Sequence, residues 1–512
     1  MTDWTNGYVA DIGYTYGYYG ELNPLRARLA LLSAGLALPK TSTACELGFG
    51  QGISANIHAA GSTTRWYGTD FNPSQAGFAQ HLAESYADGP QLFDQSFAEF
   101  CTRDDLPDFD YIGLHGIWSW ISDENRATIV DFVRRKLKVG GILYISYNTQ
   151  PGWAAMVPVR NLMVEHADKL APPGASLSAR VDGALAFANK LWAVNPVFAR
   201  HNPQIAERLQ KLDSMNRNYL AHEYFNRDWV PMSFSEMDRW LAPAKIDFAC
   251  SATYLDHLQN VHMTAEQIKL LDELPDQVFR QSMRDFMVCQ QFRRDYWVKG
   301  PRKLNPLELS EQLRAQRVVM VVPRDTVTMT VNGTLGAATL SEAIYQPVLD
   351  LMSDHQVRSI GEIDLALREH RISLQNLHQA VMVLIEKAAL APAHDEATIA
   401  AGRPATEQLN RVLLGLARGG ADISYLASPV LGSGVAVPRF SQLFILAILD
   451  GKSTPEEWAA YAWQLLKSQQ QVIFKDGNAL QGDQANLVEL TAQSTEFGNM
   501  RVAILRALGV LR

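Results

Sequence analysis

Glu46-Leu47-Gly48-Phe49-Gly50-Gln51-Gly52 places one carboxylate and three glycines within a single heptapeptide. Glycines let backbone approach a ligand closely, and a helix opening directly after such a turn presents free N–H groups to it. The spacing is GxGxG and not the GxGxxG of a dinucleotide pyrophosphate loop, and an acid stands two residues ahead of the first glycine. A carboxylate there suits a ligand that carries an ammonium group, although a plain structural turn would use the same glycines. Asp70 lies roughly twenty residues further on, where a strand-end carboxylate accepts the hydroxyls of a ribose. Its other use would be to cap a helix. Ser96 and Phe97 follow a third strand, at the level where an adenine would lie against the sheet edge.

A second group of residues follows the next two strands. His115, Trp118 and Trp120 come after one of them, and Tyr147, Asn148 and Trp153 after the other. Aromatic faces at that edge would hold a methylated ammonium through cation–π attraction; packing into the core is the alternative for all three tryptophans. His115 reads either as a satisfied structural histidine or as a general base. Near the N-terminus Tyr14, Tyr16, Tyr18 and Tyr19 alternate with Gly17 and Gly20, a pattern that suits a lid over the ligand. His222-Glu223 is no zinc motif, because Asn226 stands where HExxH needs its second histidine. Cys45, Cys101, Cys250 and Cys289 form no CxxC pair, so neither a metal site nor a disulfide framework is expected.

The elements that must carry these residues alternate between strand and helix from about Ser42 to Asn148, which predicts a parallel α/β sheet. Asn23 and Pro24 open a helix whose Leu25, Leu29, Leu32 and Leu36 share a face. Strands are expected to end at Leu47, Asp70, Asp94, Leu114 and Ser146. A helix carrying Ile129, Phe132, Val133 and Leu137 should stop near Gly140-Gly141. Beyond Trp153 the pattern is helical to about Leu220, broken at Pro172-Pro173-Gly174. After a helix over Ser235–Leu241, the stretches Asp247–Leu255 and Phe286–Val298 read as the last two strands of the same sheet. Lys299-Gly300-Pro301 marks a domain boundary. A short alternating strand (Val327, Met329, Val331) and three helical runs follow, the last over Leu377–Ala389, and this arrangement resembles a winged helix. From Ala405 the chain is mostly helical, with a turn at Pro429–Gly434.

Composition narrows the function. Across 512 residues the net charge is −8, the wrong sign for a protein that lives on nucleic-acid backbone. The winged-helix-like stretch Ala338–His394 carries four Arg or Lys against seven Asp or Glu, which argues for docking a partner and not for holding phosphates. No basic stretch leads into an apolar run at the start, and no run of apolar residues is long enough to span a bilayer, so a cytoplasmic protein without membrane insertion is expected.

Longer stretches carry a resemblance. They are Phe109 to Trp120, Tyr144 to Trp153, the N-terminal tyrosines with Asn23-Pro24, Tyr219 to Tyr224, and Asp285 to Gly300 with Phe292-Arg293-Arg294-Asp295. Ala427 to Gly434 adds a weaker one. Together they resemble class I S-adenosylmethionine-dependent methyltransferases with a methyltransferase regulatory domain, a family that includes bacterial enzymes methylating lysines of outer-membrane proteins. Phe49 and Asn23 depart from its usual cysteine and histidine.

The resemblance implies a Rossmann-like methyltransferase domain over residues 1–300, with a helical insertion at about 155–232 that would serve a homodimer. A winged-helix-like middle domain (301–395) and a mostly helical C-terminal domain (396–512) follow. The first unit should hold its cofactor sheet alone and the rest should recognise a macromolecule. S-adenosylmethionine would be held by Glu46, Gly48, Gly50, Gly52, Asp70, Ser96 and Phe97, under Tyr14, Tyr16 and Tyr18. Tyr147, Asn148, Trp153 and His115 would form the acceptor side. The expected activity is lysine N-methylation of a bacterial surface protein. Methylation of a small molecule or surface glycan is the alternative, and a cofactor-binding scaffold without turnover is the other.

Overall fold

The computed structural model describes residues 15–512. Its centre is a seven-stranded sheet of β1 (Thr43–Leu47), β2 (Arg65–Asp70), β3 (Gln91–Asp94), β4 (Phe109–Leu114), β5 (Leu137–Asn148), β6 (Asp247–Ser251) and β7 (Phe292–Val298). The order across the sheet is β3-β2-β1-β4-β5-β7-β6. β1 to β5 are parallel, and β7 runs antiparallel to both β5 and β6. The chain leaves β1 toward one edge and β4 toward the other, so the loops after these two strands diverge and open a crevice between them.

The helices around this crevice are α1 (Pro24–Ser33), α2 (Ile53–Ala60), α3 (Pro73–Ala83), α4 (Phe97–Cys101) and α5 (Asp123–Lys136). Asn23 caps α1 by accepting the Leu25 N–H at 2.9 Å, with Pro24 in the first turn. Ser122 caps α5, whose first turn carries Asp123 and Glu124 and whose last turn carries Arg134, Arg135 and Lys136, each charge complementing the helix dipole.

Three expected boundaries are corrected. The strand expected over Asp247–Leu255 ends at Ser251, and Tyr254–His257 is a short 3-10 turn. α5 stops at Lys136, four residues before the glycine pair, and Leu137 is already extended. Gly140 (φ 81°) and Gly141 sit inside β5, where the pairing with β4 shifts register. The stretch from Phe286 is not strand. Gln277–Val288 is a helix capped by Asp276 and stopped at Cys289, which adopts φ 49°, and β7 begins only at Phe292. An exposed Phe286 beside buried Asp285 reads like strand alternation over a few residues, but it is one turn of an amphipathic helix.

Between β5 and β6 five helices from Val157–Lys169 to Arg217–Tyr224 form the insertion, packed around Trp153, Met156, Met163, Leu185, Leu209 and Trp229. After β7 come two small sheets, the hairpin Thr330–Gly333/Gly336–Thr339 and a three-stranded antiparallel sheet centred on Arg317–Met320, with helices Glu342–Met352, Ile360–Ala366 and Leu374–Glu386. The last part is helical except for a hairpin, Tyr425–Ser428 with Ser433–Ala436, and a two-residue pair near Phe474. No helix among the described residues is long and apolar enough to cross a membrane.

The apolar core does not stop where the sheet does. Leu29, Leu31, Trp66, Tyr111 and Tyr296 belong to the same buried cluster as Val318, Met352, Val381 and Leu384. Ile53, Ile57, Leu82 and Tyr86 share a second cluster with Leu413, Leu426, Phe444 and Leu505.

Candidate functional site

Glu46 stands next to last in β1, and Gly48, Gly50 and Gly52 follow with φ of 73°, 58° and 66°. At two of these glycines space as well as conformation forbids a side chain. A Cβ on Gly48 would lie 2.5 Å from Ile117 Cδ1, and one on Gly52 would lie 2.4 Å from Ala79 Cβ. The turn therefore lies flat under the crevice and leads directly into α2. Asp70 ends β2 and accepts the Gly50 N–H at 2.8 Å and the Asn72 N–H at 3.0 Å. Asn72, and not Asp70, caps α3. The Asp70 carboxylate thus holds the loop and keeps acceptor capacity on both oxygens for hydroxyl groups.

Glu46, Gly48, Gly50 and Asp70 line one pocket with Ser96, Phe97, Gln95, Thr15, Gly17 and Tyr19, a space of about 1160 Å³ including its open mouth; Gly52, expected in the site, is the N-cap of α2 and does not line it. Ser96 is also the cap of α4, its Oγ donating to Glu99 Oε2 at 2.8 Å. Glu46 is only 3% exposed and its Oε2 has no hydrogen-bond partner. Burial, reinforced by the nearby Asp70 charge, pushes its carboxyl up to about 8. A buried carboxylate left without a donor fits a cation placed against it, as the ammonium of an amino-acid ligand would be.

That shift has a consequence for stability. A carboxyl whose pKa is raised on folding holds its proton in the native state while the unfolded chain has lost it, so stability falls as pH rises from about 4.5 to about 8. Glu46→Gln is expected to flatten this part of the stability–pH curve of the ligand-free protein, as urea titrations between pH 5 and 8 would show.

A second, larger cavity of about 2200 Å³, mouth included, adjoins the first. Tyr19, His115, Gly116 and Trp120 line both. His115 Nδ1 lies 2.8 Å from the Tyr144 hydroxyl, and its ring stacks on Tyr19 with centroids 4.0 Å apart. Burial pulls its pKa down to about 4, so it is neutral at physiological pH. Asn148 and Trp153 line the larger cavity, and the Asn148 Nδ2 is buried without an acceptor. The Trp153 ring is covered by the Arg208 guanidinium at 3.9 Å. Tyr219, Glu223 and Tyr224, from the helix Arg217–Tyr224, complete the wall that faces Trp120.

Several expectations are corrected by parity along an extended chain. Tyr147 points away from the cavity that its neighbour Asn148 lines. It is fully buried and donates to Asp295 Oδ2 at 2.9 Å, beside the Arg293–Asp295 pair. In the N-terminal segment Thr15, Gly17 and Tyr19 line the first pocket, whereas Tyr16 and Tyr18 face the other way. Tyr16 packs edge-on against Phe78. Tyr18 accepts the Gly434 N–H at 2.8 Å and lies 3.0 Å from His58 Nε2. Tyr14 lies outside the described residues. Trp118 is fully buried in the core, its Nε1 directed at Met232 Sδ.

Tyr147→Phe should therefore cost stability and spare ligand binding. Removing a hydrogen bond to a buried carboxylate is worth roughly 1.5–3 kcal/mol. Chemical denaturation should show a loss of that size while affinity for S-adenosylhomocysteine stays at the wild-type value.

Comparison with known proteins agrees with this geometry. Residues 216–299 match the family described as "Predicted methyltransferase regulatory domain". The Synechocystis protein sll1526 is 36% identical over 512 residues, covering 99% of each chain. A solved structure of PKMT2 from Rickettsia typhi in complex with AdoHcy covers 97% of this chain and 100% of its own, with a TM-score of 0.69 at 18% identity. A second PKMT2 structure from the same organism covers 94% and 98%, with a TM-score of 0.66 at 17% identity. The seven-stranded mixed sheet is thus that of a class I methyltransferase, and the chain belongs to the family of the Synechocystis protein sll1526, with a methyltransferase regulatory domain over residues 216–299.

Proposed function

We propose that this methyltransferase transfers methyl groups to lysine amines of a bacterial surface protein. What carries the reading is the common wall of the two cavities, where Tyr19, His115, Gly116 and Trp120 separate a small pocket at the strand ends from a roomy one lined with aromatic rings. Glu46 takes the ammonium of S-adenosylmethionine, Asp70 its ribose, and Phe97 with Ser96 its adenine. When bound, S-adenosylmethionine supplies a methyl group on a positively charged sulfur. The protein's own task is to bring an amine to the common wall in its neutral form. With a free pKa near 10.4, only about one lysine amine in a thousand is neutral at pH 7.4, a penalty of about 4 kcal/mol. The low-dielectric rings of Tyr19, Trp120 and Trp153 favour the uncharged amine, and alignment at the wall lowers the entropic part of the barrier.

In this reading the insertion serves a homodimer, and the segments 301–395 (winged-helix-like) and 396–512 recognise the folded partner in the cytoplasm. The test is to incubate the full-length protein with S-adenosylmethionine carrying a labelled methyl and a fraction of bacterial surface proteins, then map the label by mass spectrometry. Methyl groups on lysine are expected. Label confined to a small molecule or to glycan would overturn the lysine assignment.

A further inference from the structure

We propose that Glu223 is a catalytic residue that removes the proton from the incoming amine. The proposal builds on the methyl-transfer reading above but rests on separate observations in the acceptor cavity. Helix Arg217–Tyr224 is capped by Asn216 and ends against the common wall, where the Glu223 carbonyl accepts the Trp120 Nε1–H at 3.2 Å. Residue 223 is thereby fixed beside a ring that lines both cavities.

The charge balance around the cavity singles it out. Glu207, the other acid of the wall, is paired with Lys211 at 2.7 Å. Glu223 is half-buried, and no hydrogen bond or ion pair holds its carboxylate among the described residues. A desolvated carboxylate without a donor is costly, and an ammonium entering the cavity would relieve that cost. Burial lifts its carboxyl to about 7, close to the working range of a general base. The other candidates are unsuited. His115 is already engaged by Tyr144 and depressed to about 4, and Tyr147 lies outside the cavity. Asn148 has no proton-accepting group of useful basicity.

The acceptor enters as an ammonium and gives one proton to the Glu223 carboxylate. The freed nitrogen lone pair forms the new N–C bond while the methyl–sulfur bond breaks, its electron pair staying on sulfur. The product leaves as a methylammonium, and the Glu223 proton passes to water through the open mouth of the cavity.

The test uses the full-length protein, Glu223→Gln and Glu223→Asp, and has two arms. In the first, each protein saturated with S-adenosylhomocysteine is titrated with n-butylamine at pH 8, where the amine is an ammonium. Calorimetry should show wild-type binding, a loss of at least about tenfold in Glu223→Gln, and partial recovery in Glu223→Asp. Equal affinity, or no wild-type binding, overturns the assignment.

In the second arm, methyl transfer to poly-L-lysine is followed from pH 6 to 9.5. The titratable and charged groups that share the cavity with Glu223 are Tyr219 and Tyr224 on its own helix, Glu207, Arg208 and Lys211 on the helix Gln204–Asp213, and Tyr19, His115, Cys289 and Arg294; of these, burial raises both Tyr219 and Tyr224 and lowers His115. The wild-type rate should fall as pH drops below about 7 and level off above it. In Glu223→Gln it should be lower by about a hundredfold at pH 7.5 and climb throughout, following the amine's own deprotonation. Turnover with matching profiles overturns the Glu223 role and leaves lysine methylation standing. Amine binding that depends on Glu223, without transfer by the wild type, sustains the amine site and overturns lysine as the acceptor.

Discussion

Asp70→Ala will lower affinity for S-adenosylhomocysteine by roughly two to four orders of magnitude if Asp70 holds the ribose as proposed, because two hydrogen bonds from ribose hydroxyls to a charged acceptor are then lost at about 1.5–3 kcal/mol each. The loss is compounded in this chain, where the same carboxylate accepts the Gly50 N–H and so shapes the loop beneath the ligand. Asp70→Asn separates the two contributions. Its remaining oxygen can still accept from Gly50 while the charge is gone, so its affinity should fall between the wild type and the alanine variant. Burial raises the Asp70 carboxyl to about 6, against the lowering effect of its two backbone partners. Wild-type affinity should therefore weaken as pH falls through about 6, and that limb should be absent in both variants. Calorimetry from pH 5 to 8 checks all three statements, and unchanged affinity in a folded Asp70→Ala protein would remove Asp70 from the ribose.

Ending the chain after Gly300 will leave a protein that does not fold. The sequence reads as though residues 1–300 could stand alone, yet α1 and α2 bury their outer faces against residues that come later. Leu29 and Leu31 lie in a cluster with Val381 and Leu384, and Ile53 and Ile57 in one with Leu413 and Leu426. Exposing these four side chains alone forfeits about 6–12 kcal/mol, comparable with the whole stability of a domain. The expected outcome is insoluble material, or a soluble product without near-UV circular dichroism or cooperative melting. A cooperatively melting fragment that binds S-adenosylhomocysteine would show that the shared core is dispensable.

The ends of β1, β2, β3 and β4 were readable because each is marked by local chemistry, a glycine turn, a capping residue or a carboxylate. The site residues that hang directly on those ends, Glu46, Gly48, Asp70 and Phe97, line the pocket as their spacing suggests. Where the reading fails, it fails by one residue of parity. Tyr147 and Asn148 are equally plausible after a strand, but alternation sends their side chains to opposite faces. The same holds for Tyr16 and Tyr18 against Gly17 and Tyr19. The strand ascribed to Phe286 fails differently, since a few residues of an amphipathic helix do not show their period. Glu223 was out of reach for another reason. It reaches the wall through an insertion more than seventy residues after β5, and nothing in Tyr219–Tyr224 announces which of its polar groups will lack a partner.

The segment from Thr15 to Tyr19 has the pocket at the strand ends on one side and the C-terminal hairpin on the other. Its odd-numbered residues line that pocket, while Tyr18 receives the Gly434 N–H and packs on Tyr425 at 4.7 Å. Asn23, a few residues on, donates to the Gly432 carbonyl at 2.9 Å. One short stretch is thus a shared boundary condition for two events far apart in sequence. Any free energy by which ligand binding favours the placement of this stretch is returned in equal measure to the seating of the hairpin, and any partner that pulls on the hairpin changes ligand affinity by the same factor.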